Sequence, residues 1–165
     1  MKNKFFFLSL GLLLIAAGII ASHTVKFKNT SANVPKKKET RDLLVGEKKL
    51  SVEIARTDAE MRQGLSDRTS LPQNGGMLFD FGQDSSIIPS FLMKDMNFAL
   101  DFIWIKNNFV IGITSNVEPP DKDEKSDTKN LILYTPPSPI DKVLEVNSGW
   151  AEKNRIAVGD AVEVK

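Results

Sequence analysis

Cysteine is absent from the 165 residues, and the single histidine, His23, lies near the N-terminus, ahead of every stretch with a folding pattern. The rest of the chain therefore has no disulfide, no thiolate nucleophile, no Ser-His-Asp or Cys-His arrangement, and no zinc site with nitrogen or sulfur ligands. Gly-rich phosphate loops of the GxxxxGK and GxGxxG kinds are missing as well. The run Asp121-Lys122-Asp123-Glu124-Lys125-Ser126-Asp127 clusters oxygens as a calcium loop does. It lacks the turn glycine and the distal glutamate of an EF-hand, and so reads as a solvated loop. No metal site and no cofactor are expected. Carboxylates, lysine, arginine, serine and the one tyrosine, Tyr134, remain to carry any chemistry.

The net charge of +1 conceals an asymmetry. Residues 1–42 hold 8 Lys/Arg against 2 Asp/Glu, and the remainder holds 14 against 19, a net of −5. An acidic domain repels phosphate backbones, and no basic stripe interleaved with aromatics follows residue 42, so nucleic acid is not an expected partner. Lys36-Lys37-Lys38 reads as part of a solvated linker, with contact to anionic lipid headgroups as the alternative.

Two lysines in Met1–Lys4 precede a stretch, Phe5–Ala21, that is apolar but for Ser9 and two glycines. That order matches the n-region and h-region of an export signal, and its length is near the lower limit for spanning a bilayer. Residues 1–21 are thus expected to be a signal peptide or membrane anchor. Residues 22–42 are polar, basic and without apolar periodicity, a flexible stalk. Residues 43–165 are then one globular domain held outside the cytoplasm, although the lysines after the apolar stretch run against the positive-inside rule.

Within that domain, Leu43–Gly46 and the alternation of Leu50, Val52 and Ile54 bracket a turn, predicting a hairpin. Thr57-Asp58-Ala59-Glu60 matches a capping box, and Gly64 offers the stop for a helix of about two turns. Met77–Phe81 reads as a strand with one strongly apolar face. Asp101–Ile105 and Phe109–Ile113 read as a hairpin about Asn107-Asn108, residues that tolerate positive φ. Val117–Asn130 is expected to be loop and Leu131–Tyr134 a short strand. Lys142–Val146 is a strand, Gly149–Lys153 a helical turn, and Ala161–Val164 a last strand. Seven or eight short strands with two short helices imply a mainly β domain, bordering on α+β: a small open barrel or a sandwich-like pair of sheets.

Several phrases then occur in a telling order: Gly64-Leu65-Ser66-Asp67-Arg68-Thr69-Ser70-Leu71, Gly76-Met77-Leu78-Phe79-Asp80-Phe81, Phe91-Leu92-Met93-Lys94 and Leu100-Asp101-Phe102-Ile103. Val143-Leu144-Glu145-Val146-Asn147-Ser148-Gly149-Trp150 and Gly159-Asp160 complete the series. Together they resemble the domain-of-unknown-function 192 family over about residues 50–164. The resemblance implies a compact β-rich domain, often behind an export signal, with no agreed substrate or reaction. Relatives commonly carry Trp where Leu92 stands, and cysteines in the loop that is Val117–Asn130 here.

Arg68, Lys94, Asp101 and Glu145 are charges set inside apolar phrases, and a buried charge needs a partner. Either they form internal salt bridges or, with Met93, they line a pocket for a ligand. The leading expectation is a non-enzymatic envelope module binding a small ligand, an envelope polymer or an envelope protein at a pocket rimmed by Arg68 and Lys94. The alternative is a hydrolase or lyase acting on an envelope saccharide, with Asp101 or Glu145 as acid/base and Lys94 stabilising negative charge. A pairing of Asp95 with Asp101 would need a shared cleft. A third reading is an assembly scaffold with an exposed apolar patch. Met77, Met93, Phe79, Phe81, Phe91, Phe102 and Trp104 recur at strand spacing and read as core, and Trp150 as the cap of a barrel end.

Overall fold

The computed structural model describes residues 38–121 and 131–165. The expected leader, most of the stalk and the acidic loop from Lys122 onward lie outside the described residues. Among the described residues, no helix is long and apolar enough to cross a membrane.

The chain runs β1 (Thr40–Val45), β2 (Lys48–Ala55), α1 (Asp58–Gln63), β3 (Gly75–Asp80), β4 (Leu100–Lys106), β5 (Phe109–Val117), β6 (Lys142–Asn147), α2 (Trp150–Asn154) and β7 (Val162–Val164). The stalk expected up to Asp42 therefore ends sooner: Thr40, Arg41 and Asp42 pair with Glu53, Val52 and Ser51 across the first hairpin. A polar strand edge carries no hydrophobic signal, yet backbone pairing extends through it regardless. All seven strands form one sheet in the order β5-β4-β6-β3-β2-β1-β7. The fold is mainly β, and of the two expected architectures it is the open barrel.

The two edges of this sheet meet at one end. Val110 N–H donates to Asp160 O at 2.9 Å, Gly159 N–H to Val110 O at 2.8 Å, and Val162 N–H to Asn108 O at 2.8 Å. A core drawn from all seven strands and α2, including Leu43, Val52, Leu78, Ile103, Val110, Leu144 and Val162, packs as one cluster. Side chains from both edges and the centre can meet only on the concave side, so this is the interior of the curl. Trp150, at the start of α2, belongs to it and is 5 % exposed.

Every pair but β2–β3 is antiparallel. A parallel pair needs a crossover rather than a tight turn. That crossover contains α1 and is laid over the convex face. Thr57 caps α1 as its sequence predicts: Glu60 N–H donates to Thr57 Oγ1, and Thr57 N–H donates to Glu60 Oε2. The β3–β4 connection crosses the same face. A second cluster forms beneath the two, in which Phe91 contacts the rings of Phe79, Phe102 and Trp104 at centroid distances of 5.2–5.8 Å.

This double coverage changes three readings. β3, expected to be apolar on one face, is buried on both from Gly75 to Phe79, because Leu78 faces the interior while Met77 and Phe79 face the second cluster. β5 runs on past the expected strand end at Ile113 to Val117, the expected loop start, its register shifted twice against β4. Leu131–Tyr134 is no strand, and only Tyr134 bridges, to Phe91. The turn at Asn107 (φ 49°) and Asn108 (φ 63°) is as predicted.

Candidate functional site

Strand parity assigns the charged residues to their faces. Asp101 pairs with Val146, and Phe102 with Glu145. Val146 belongs to the interior cluster, and Phe102 to the convex-face cluster. Asp101 and Glu145 thus lie on adjacent strands but on opposite faces of the sheet.

Asp101 is fully buried, and its carboxylate accepts three backbone N–H groups: Asn116 at 3.0 Å, Gly149 at 3.1 Å and Ala151 at 3.0 Å. Two of those amides open α2, whose N-cap residue, Gly149, has no side chain to do so. Asp101 is the missing cap, supplied from β4. It does not line the cavity described below, and Asp95 is engaged with Lys94 at 3.6 Å. A mechanism that needs Asp101 beside Glu145 at one bond has no place in this arrangement.

Arg68 follows α1 and forms a bidentate pair with Glu53 of β2, at 2.6 and 2.7 Å. Its hydrogen bonds hold Glu53 below the usual carboxylate range against the opposing effect of burial, and Lys38, 3.3 Å from Glu53, adds to the lowering. Glu53 drew no attention in the sequence because it occupies a polar position of an alternating strand. Only the crossover brings Arg68 over it. Arg68 is therefore an internal-bridge residue and does not line the cavity.

Met93, Lys94 and Glu145 do come together. A cavity of about 360 Å³ opens on the convex face between α1 with its following loop and the loop 89–96. Ser66 Oγ donates to Lys94 O at 2.8 Å and Asp67 N–H to Asp95 O at 2.9 Å, stapling the two loops along one side. The wall is sulfur and aromatic: Met61, Met93, Met96, Phe79, Phe81 and Phe91. The sequence places most of these simply in the core, since lining a cavity and filling one require the same residue types.

Glu145 lies at the floor of this cavity, 6 % exposed, and its carboxyl makes no hydrogen bond among the described residues. Burial pushes the group up to about 8, with Arg68 pulling weakly the other way. At neutral pH it is a protonated acid facing an apolar space. Lys94 stands at the rim with its side chain 46 % exposed.

The family model of domain of unknown function 192, described as an uncharacterised ACR, matches residues 41–164. The chain belongs to this family. Two solved structures share the DUF192 domain's architecture. One, from Sinorhizobium meliloti and put forward as a transcription regulator, is 24 % identical with a TM-score of 0.67, over 77 % of this chain and 95 % of that one. The other, of unknown function from Novosphingobium aromaticivorans, is 29 % identical with a TM-score of 0.64, over 75 % and 84 % of the two chains. No curated protein matches this DUF192 chain significantly.

Proposed function

We propose that this domain is a non-enzymatic binding module of the cell envelope, which takes a small, largely apolar ligand into the convex-face cavity. One observation carries the reading: a buried acid, Glu145, without a hydrogen-bonding partner among the described residues, forms part of the wall of an apolar cavity. An apolar cleft with a few polar groups is the usual form of a small-molecule site. The volume falls at the lower end of the range of about 300–1,000 Å³ typical of such sites. The apolar leader and basic stalk support placement at a membrane with the domain outside the cytoplasm. The acidic balance of residues 43–165 argues against carrying the role suggested for the Sinorhizobium protein over to this chain.

The test is titration of 13C-methyl-methionine protein with a neutral aromatic probe, 2-phenylethanol. Saturable shifts at Met61, Met93 and Met96 are expected. Unmoved methyls at those three positions, with indole, cyclohexanol and the amine and carboxylate analogues of the probe giving the same result, would remove the reading. Fractionation of cells expressing the full chain or residues 38–165 tests the location: the full chain is expected in membranes and the shorter form outside them.

A further inference from the structure

We infer that the ligand is an amine: a body of single-ring size bearing one cationic nitrogen, with the Glu145 carboxylate as its counter-ion. This rests on the binding reading above and names its ligand class. The argument comes from the polar groups on the cavity wall. The Gln63 side-chain amide donates to Ser66 O at 3.3 Å, and the Ser66 hydroxyl is committed to Lys94 O. Arg62 is mostly exposed, 3.8 Å from Asp58, and Lys94 is at the rim beside Asp95. Of the charged lining residues, Glu145 alone is buried.

The groups packed around that carboxyl complete the picture. β3 presents Met77 and β4 presents Phe102 directly across the register, both apolar. The loop after α1 brings Arg68, whose guanidinium is held in two bonds by Glu53. Ser90, the remaining polar side chain of the lining, is exposed, so among the described residues no neighbour supplies the buried floor of the cavity with a free donor. An anionic ligand group there would meet a carboxyl and no uncommitted cation. A cationic nitrogen meets a carboxylate, the faces of Phe79, Phe81 and Phe91, and three thioethers. Ring faces attract cations by their quadrupole, more strongly where water is excluded, and the thioethers add polarisable contact.

Binding then carries a proton signature. The free site holds its proton up to about pH 8, and an entering ammonium stabilises the ionised form, so the carboxyl proton leaves to solvent as the ion pair forms. Calorimetry of the full chain with 2-phenylethylamine, 2-phenylethanol and 3-phenylpropionate, at pH 6.5 in buffers of different ionisation enthalpy, reads both preference and proton count. The amine is expected to bind at least tenfold more tightly than either analogue and to release close to one proton. Glu145→Gln is expected to abolish both the preference and the release.

Equal binding of alcohol and amine, tighter binding of the propionate, or no proton release by the wild type would overturn the amine assignment while leaving a binding cavity in place. The wild-type proton count needs no variant, so the assignment is decided even if Glu145→Gln does not fold. Failure of all three probes, with unmoved methionine methyls, would instead remove the binding reading.

Discussion

Asp101 and Glu145 are carboxylic acids on neighbouring strands, and burial has set them different tasks. Asp101 is surrounded by three amide donors and holds the start of α2. Asp101→Asn keeps the shape but turns one acceptor into a donor facing N–H groups, and is expected to cost about 2–4 kcal/mol. Denaturant unfolding measures this directly, and a change below about 1 kcal/mol would mean that Asp101 does not act as the cap. Glu145 has no such donors among the described residues, and burial moves it from an ordinary value of 4.5 to about 8. Between those values the folded chain keeps a proton that the unfolded chain has lost. Its contribution is complete below about pH 4.5, declines as pH rises to about 8, and is constant above that. The decline is on the order of 5 kcal/mol. Glu53, lowered by Arg68, acts in the opposite sense and loses its contribution in acid, so the wild-type curve mixes the two. The difference between wild type and Glu145→Gln across pH 5–9 isolates Glu145, and a flat difference would show that the acid is not buried as described.

The two helices show how far an element carries its own instructions. α1 contains its capping box within four consecutive residues, Thr57–Glu60, and its start is legible without any fold. α2 begins at Gly149 in a left-handed conformation, φ 75°, and depends on a carboxylate 48 residues earlier. β3 is constrained differently. A Cβ on Gly76 would come within 2.7 Å of the Glu145 backbone oxygen, and the β3–β6 ladder has no slack to yield. Gly76→Ala is expected to destabilise by about 1–3 kcal/mol through that overlap. It should also move Glu145, so the carboxyl should titrate away from its wild-type position by 13C NMR. Stability and titration both unchanged would show that the two strands are not in this contact.

At the scale of the whole molecule, the sheet is ordered so that chain neighbours are often not sheet neighbours: β6 enters between β4 and β3, and β7 joins β1. Such non-local pairing makes the domain a single cooperative unit, since no hairpin buries its apolar faces alone. Among the described residues, all seven strands and the bonds joining the edges fall within Thr40–Val164. Residues 38–165 expressed alone are therefore expected to unfold in one transition with the full chain's midpoint. A lower midpoint, or several transitions, would show that residues 1–37 contribute to the fold.

The sequence by itself determined most of the elements: the period-2 runs outside Leu131–Tyr134, the Asn107-Asn108 turn, the Thr57 capping box and the family to which the phrases belong. It also excluded imidazole and thiol chemistry from the folded part, which composition alone decides. Periodicity reports which residues leave water, and it reported correctly for Phe79 and Met93. It cannot report whether those residues fill a core or line a cavity, because the free energy of leaving water is the same in both. Nor does it pair charges. Arg68 with Glu53, and Asp101 with the amides of α2, are contacts between segments that only the crossovers bring together. The faces of Asp101 and Glu145 follow from the β4–β6 register, and a register between distant strands is fixed by the packing of the whole sheet.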